Sequence, residues 1–117
     1  MKKNKKIEDS LSKIFSNSGY KMVDVSKKEV THRKALAVGE IILSSELIKK
    51  IKSKKMPKGD PLTIAEVSGI NGVKKTSELI PLCHPLSLDH ISIHTEIDEK
   101  KNSIIVYCLV SANSKTG

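Results

Sequence analysis

Tryptophan is absent from this sequence, phenylalanine occurs once and tyrosine twice. So few rings argue against a platform on which single-stranded nucleic acid stacks its bases. Cysteine is almost as scarce, and Cys83 and Cys108 alone make no disulfide framework of the kind that holds small secreted domains together. No apolar run approaches the ~18 residues of a membrane-spanning helix. Lysines at 2, 3, 5 and 6 imitate the start of an export signal, but Glu8, Asp9 and Ser10 break the apolar stretch that would have to follow. The reading is therefore a cytoplasmic protein with reduced thiols. At 117 residues there is room for one small domain, and 38% hydrophobic with 29% charged residues excludes collagen-like, low-complexity and wholly disordered classes.

What the chain has in excess is positive charge, +8 overall. It is unevenly placed: residues 1–60 hold 16 Lys/Arg against 7 Asp/Glu, and residues 61–117 hold 5 against 6. A basic half suits an anionic partner such as nucleic acid, anionic lipid or a phosphorylated small molecule, and it equally suits a lysine-rich solvated surface.

Residues 1–19 read as a basic N-terminal arm. Within it Ile7, Leu11, Ile14 and Phe15 recur at helical spacing, and Ser16-Asn17-Ser18-Gly19 stops the pattern. Met22 to Val25 is expected as a short extended segment and Ala35 to Leu43 as a strand. Ser44 or Ser45 then caps a helix to about Lys54, with Leu47, Ile48 and Ile51 as its apolar stripe and lysines outside and toward its C-terminus. Pro57 to Pro61 is a turn. Thr63-Ile64-Ala65-Glu66 has the form of a capping box opening a second helix that runs to about Leu79. Ala65, Gly69 and Gly72 share one stripe of it, which predicts another backbone packed very close. Pro81 and Pro85 force the chain out of the helix. Alternation over Ser87–Ile97 and Ser103–Ala112 predicts a hairpin closed by Asp98 to Asn102. The order strand, helix, helix, strand, strand implies an α+β fold, an antiparallel sheet with helices packed on one face. Two short helices make a thin cover, so a further segment or an oligomer is expected to complete it.

Three groups of residues carry chemistry. Cys83 and His84, with His90 and His94 nearby, are ligand types that zinc accepts, but the spacing is not that of a finger and the last two fall on a strand, pointing out. Neighbours in an extended backbone point apart, so Cys83 and His84 make a poor nucleophile–base pair. Lys58-Gly59-Asp60 is an ordinary surface turn, and it is also a place where backbone and a point charge could meet a phosphate. Lys74 stands one helical turn before Glu78, where an i, i+4 ion pair is one use for it. Another use sets Arg33, Lys58, Lys74 and His84 around a single polyphosphate, since fixed cations beside a titratable imidazole suit phosphoryl chemistry near neutral pH.

Met22-Val23-Asp24-Val25-Ser26, Thr31 and Arg33, Lys58-Gly59-Asp60, Ala65 to Gly69, Leu79-Ile80-Pro81-Leu82-Cys83-His84-Pro85-Leu86 and Lys115-Thr116-Gly117 occur in that order. Together they strongly resemble the molybdenum cofactor biosynthesis protein C family, the cyclic pyranopterin monophosphate synthases. The resemblance covers residues 20–117 and divides the chain into the arm and one synthase-like domain. It implies a ferredoxin-like fold, a homohexamer built as a trimer of dimers, and no metal or organic cofactor. The implied substrate is the small-molecule cyclic dihydroguanosine triphosphate made from GTP; the implied products are cyclic pyranopterin monophosphate and diphosphate. Matched position by position, Lys58 and Lys74 are the implied catalytic residues, with Lys74 also gripping the triphosphate. Arg33, Leu82, Cys83 and His84 are the implied substrate-binding residues. The family pattern continues for about another third beyond its lysine-threonine-glycine motif, including an essential aspartate and lysine that these 117 residues do not contain. Two other readings compete: an inactive or split remnant that still assembles, and a basic module gripping nucleic acid through the lysines at 49–58.

Overall fold

A computed structural model describes residues 2–16 and 19–117, apart from the side chains of Lys2 and Lys3. The elements in chain order are α1 (Lys2–Ser16), β1 (Thr31–Ile42), α2 (Ser45–Lys52), α3 (Pro61–Leu79), β2 (His90–Asp98) and β3 (Ser103–Ser114). The strands form one antiparallel sheet in the order β1-β3-β2, with Ala37 and Ile93 both opposite Cys108. With α2 and α3 on one face, this is the expected α+β, ferredoxin-like arrangement.

Alternation decides which side chains meet the helices. Ile93, Thr95 and Ile97 of β2 and Ile104 and Val106 of β3 face them. Ile48 and Ile51 of α2 bury against Ile104, and Leu43, Leu47, Met56, Leu62, Ile97 and Val106 pack around these three. Thr95 Oγ1 donates to Glu66 Oε1 of α3 at 3.1 Å. The core therefore sits beneath α2 and the hairpin end of the sheet. The cover is thin: among the described residues only Ile48, Ile51, Ile104 and Ala112 are buried apolar side chains.

β1 lies outside this cover. It pairs with β3 along one edge only, and all twelve of its residues are exposed. The strand begins at Thr31, four residues earlier than the side-chain pattern predicts, because the Thr31↔Ser114 to Lys34↔Ser111 pairs are held by backbone bonding that hydrophobicity does not record. β2 begins at His90 rather than Ser87. Met22 to Val25 joins no strand.

The helix starts follow local chemistry. Ser44 caps α2 by accepting from the Leu47 amide at 3.1 Å. α2 ends at Lys52, short of Lys54, whose φ of 58° is left-handed and cannot continue a helix. α3 does not begin with the Thr63–Glu66 capping box. Asp60 is its cap, accepting from the Leu62 amide and from Thr63 Oγ1, and Pro61 occupies the first turn, where its missing N–H costs nothing. Thr63 already lies within the helix, and Glu66 is drawn to Thr95 instead.

The small-residue stripe of α3 also differs from expectation. Gly69 lies against the Ile93 side chain, not a second backbone, and Gly72 has nothing within 4 Å of where a Cβ would stand. In α1, Ile7, Leu11, Ile14 and Phe15 do line up on a helix and are all exposed; of the predicted stop after it, Asn17 and Ser18 lie outside the described residues.

Candidate functional site

On the helix side of β1, Ala35 and Ala37 line an open space beside α3. The 81–89 segment, turned out of the helix by its prolines, lies along the gap. Cys83 N donates to Ile80 O at 3.1 Å as the chain turns. Farther along, Asp89 fastens the segment to β3: its backbone N donates to Ser111 O at 2.9 Å, and its Oδ2 accepts from both Asn113 N and Asn113 Nδ2 at 2.8 Å.

The result is an open groove of about 420 Å³ whose walls include Ala35, Ala37, Lys74, Cys83 and His84. A second hollow of about 290 Å³, bearing Arg33 and Thr116, shares Ala35, Leu86, Leu88 and Val110 with it. Arg33, Lys74, Cys83 and His84 thus border one continuous trough, apolar along its floor and cationic at its sides. Lys74 makes no ion pair with Glu78 and is free to serve the trough.

Lys58 stands elsewhere in this chain. It lines a separate, apolar hollow of about 510 Å³ with Met56, Pro57, Gly59, Pro61, Ile64 and Ala65. That hollow is at the N-terminal end of α3, whereas Lys74 is near the C-terminal end, roughly 20 Å of helix away. Gly59 there has φ 102°, which only glycine adopts freely, so the Lys58-Gly59-Asp60 turn is sharp and fixed from behind by the Asp60 cap. Leu82 lines neither part of the trough and is exposed.

Cys83 Sγ donates to His84 O at 3.5 Å, and the two side chains make no bond to one another. His94 stands beside Tyr107 on the opposite face of the sheet, and His90 lines a separate hollow with Ile70 and Lys74, so neither joins Cys83 and His84 around one point.

Hydrophobic periodicity gave no sign of the residues that close the trough's far end. Segments 22–28 and 115–117 are laced together by Lys28 Nζ donating to Thr116 O at 2.9 Å and Lys115 Nζ donating to Ser26 O at 3.4 Å. A Cβ on Gly117 would lie 3.1 Å from Val23 Cβ and 3.2 Å from His84 Cε1, so this seam abuts the imidazole. Asp24 turns its own backbone by accepting from Ser26 N at 2.9 Å. That hydrogen bond, with help from the charges of Lys115 and His84, holds its carboxyl below the usual aspartate range. The signal for these contacts was the co-occurrence of the Met22–Ser26 and Lys115–Gly117 motifs, which periodicity cannot join.

Fold and trough together define an α+β domain with a cation-edged groove sized for a small anionic molecule. Residues 22–117 match the MoaC family, and the chain belongs to that family. It is 38% identical over 109 residues to the cyclic pyranopterin monophosphate synthase of Heliobacterium modesticaldum, covering 93% of this chain and 69% of that protein. To the synthase of Clostridium perfringens it is 47% identical over 104 residues, 88% of this chain and 66% of the relative. A probable cyclic pyranopterin monophosphate synthase of Sulfurisphaera tokodaii is 43% identical over 97 residues, 83% of this chain and 63% of its own length. The chain spans about two thirds of the length of the curated relatives it matches.

Proposed function

We propose that the chain serves molybdenum cofactor biosynthesis as a cyclic pyranopterin monophosphate synthase. It would take the cyclised dihydroguanosine triphosphate and release diphosphate. The observation that carries this reading is the trough bordered by Arg33, Lys74 and His84, beside the Leu82-Cys83-His84 segment. Arg33 and Lys74 hold the triphosphate, and Cys83 and His84 contact the substrate, with the exposed Leu82 on the same segment outside the trough of this chain. Charge builds on the leaving oxygens as diphosphate departs, and fixed cations oppose it where it forms. Closing the cyclic phosphate requires a ribose-derived hydroxyl in line with the first phosphorus. Its attack forms the new P–O bond as the bond to diphosphate breaks, a step governed by positioning. Proton transfers in the ring rearrangement fall to Lys58 and Lys74, with His84 near at hand.

Lys58 reaches the trough from a neighbouring copy in this reading, within a homohexamer arranged as a trimer of dimers. Its separation from Lys74 in a single chain supports that placement. The partner is a small molecule, not nucleic acid, no metal or cofactor takes part, and the compartment is the cytoplasm. In keeping with that compartment, Cys83 and Cys108 are free, and among the described residues no helix is long and apolar enough to cross a membrane.

The test is diphosphate release from the cyclised triphosphate, by this chain and by the same chain extended with the remaining third of a relative. Turnover in the extended form that Lys58→Ala abolishes with folding unchanged supports the assignment. Unchanged turnover in that variant removes Lys58 from the mechanism.

A further inference from the structure

α1 has no part in the trough or in the core. It precedes residues 22–117, which match the family, and none of its side chains joins the cluster around Ile48, Ile51 and Ile104. Ile7, Leu11, Ile14 and Phe15 fall within an arc of about 100° on the helix and are between 46% and 64% exposed. Such a stripe is the face a surface helix turns toward something apolar. A helix this short gains little from its own backbone and depends on that burial.

Its charges make a matching demand. The helix carries five lysines against Glu8 and Asp9. Lysines at 2, 3, 5 and 6 crowd its N-terminal end, where the first turn holds no acid and the helix dipole already presents positive charge. Placed there, they oppose the helix until an anion answers them. By helical position, Lys5 falls to one side of the apolar stripe and Lys6 and Lys13 to the other. Asp9 stands opposite the stripe, and Glu8 borders it on the Lys5 side. An apolar line with lysines on both flanks fits a flat surface that is apolar beneath and anionic above. Aliphatic stems lie down beside the stripe while the ammonium groups reach up to phosphate. A protein groove would need acid along both rims of one apolar cleft, whereas an anionic bilayer offers it everywhere.

We infer that α1 is an anchor for the surface of an anionic bilayer, lying in the headgroup plane with Ile7, Leu11, Ile14 and Phe15 turned into the acyl boundary and its lysines against lipid phosphates. At about 22 Å the helix is too short to cross a bilayer and suited to lying on one. Four apolar side chains alone bind weakly, so the stripe and the lysines are both required and attachment is reversible. The anchor goes beyond the synthase reading and takes none of the trough residues, so diphosphate release can fail with anchoring intact.

Flotation of the whole chain with mixed phosphatidylglycerol–phosphatidylcholine vesicles, against vesicles of phosphatidylcholine alone, tests this. The chain should float with the anionic vesicles, remain behind with the neutral ones, and be released by high salt. Leu11→Asp and Ile14→Asp put a charge into the stripe, and each should lower partitioning tenfold or more. Lys5→Glu combined with Lys6→Glu should lower it by at least as much. Glu8→Lys extends the cationic flank and should raise it several-fold, a gain that a misfolded variant cannot show. Circular dichroism checks that the sheet is retained in each variant, and the helical signal of the wild-type chain should rise on anionic vesicles. Binding that is indifferent to Leu11→Asp and Ile14→Asp marks bulk charge without an anchor and overturns the inference. A chain that floats with neither kind of vesicle overturns it as well and leaves the stripe to a protein partner.

Discussion

Gly69 of α3 sits so close to Ile93 of β2 that a Cβ on the glycine would lie 3.1 Å from both Ile93 Cδ1 and Cγ1. This contact sets how deeply the helix rides on the sheet. Gly69→Ala gains helix propensity of about 1 kcal/mol but overpacks against a branched side chain, at a cost of roughly 1–3 kcal/mol. A net loss of stability is expected. Gly72 is open, so Gly72→Ala should add about 1 kcal/mol. Urea denaturation of the two variants checks the contrast, and equal shifts would mean that Gly69 does not limit the approach.

Asp60 holds the start of α3 by accepting from Leu62 N at 3.1 Å and Thr63 Oγ1 at 3.0 Å. Asp60→Ala should cost about 0.5–2 kcal/mol, and Asp60→Asn much less. Glu66→Gln leaves the cap untouched. A larger loss in denaturation from Glu66→Gln than from Asp60→Ala would restore the capping box read from sequence.

Ile48 and Ile51 are nearly all that α2 contributes to the interior. Ile51→Ala should destabilise by about 2–4 kcal/mol, and Ile51→Val by about 1 kcal/mol. In so thin a core the alanine change should also broaden the thermal transition seen by circular dichroism.

Tyr107 donates its hydroxyl to Glu96 Oε2 at 3.4 Å, and the carboxylate's charge raises the phenol above its ordinary value of 10.0. An acid whose folded pKa is raised favours the fold while it keeps its proton. That contribution is complete below pH 10.0 and is lost as pH climbs through the raised value. Glu96→Gln should move the Tyr107 tyrosinate absorbance to lower pH. An unmoved curve would show that the glutamate is not the cause.

Lys74 borders the trough and Lys75 does not. Lys74→Ala should weaken binding of inorganic triphosphate by roughly tenfold, the scale of one charge-assisted contact, and Lys75→Ala much less. Calorimetric titration distinguishes them; equal losses would point to bulk charge instead of a site.

Much of this molecule was legible before folding. The 91-93-95-97 and 104-106-108-110 alternations placed two strands and their buried faces, and Leu47, Ile48 and Ile51 placed α2. The start of β1 was hidden because edge backbone pairing needs no apolar side chains. The true cap of α3 was hidden because Asp60 beside Pro61 looks like turn chemistry from either side. The trough was only half readable. Arg33, Lys74 and His84 could be nominated by type, but only β1–β3 register, the Asp89–Asn113 tie and the packing of α3 on β2 set them around one trough. Lys58 shows the converse: nominated by type with the others, it lines a separate hollow.

The bare outer edge of β1 has a bearing on handling. Among the described residues, alternate positions of this strand turn an unpaired amide and carbonyl outward, a template onto which any stray extended peptide could grow. Arg33, Lys34 and Glu40 act along it as gatekeepers, charges that a growing fibril would have to stack. Preparations in which those charges are neutralised or heavily screened should be the first to turn cloudy.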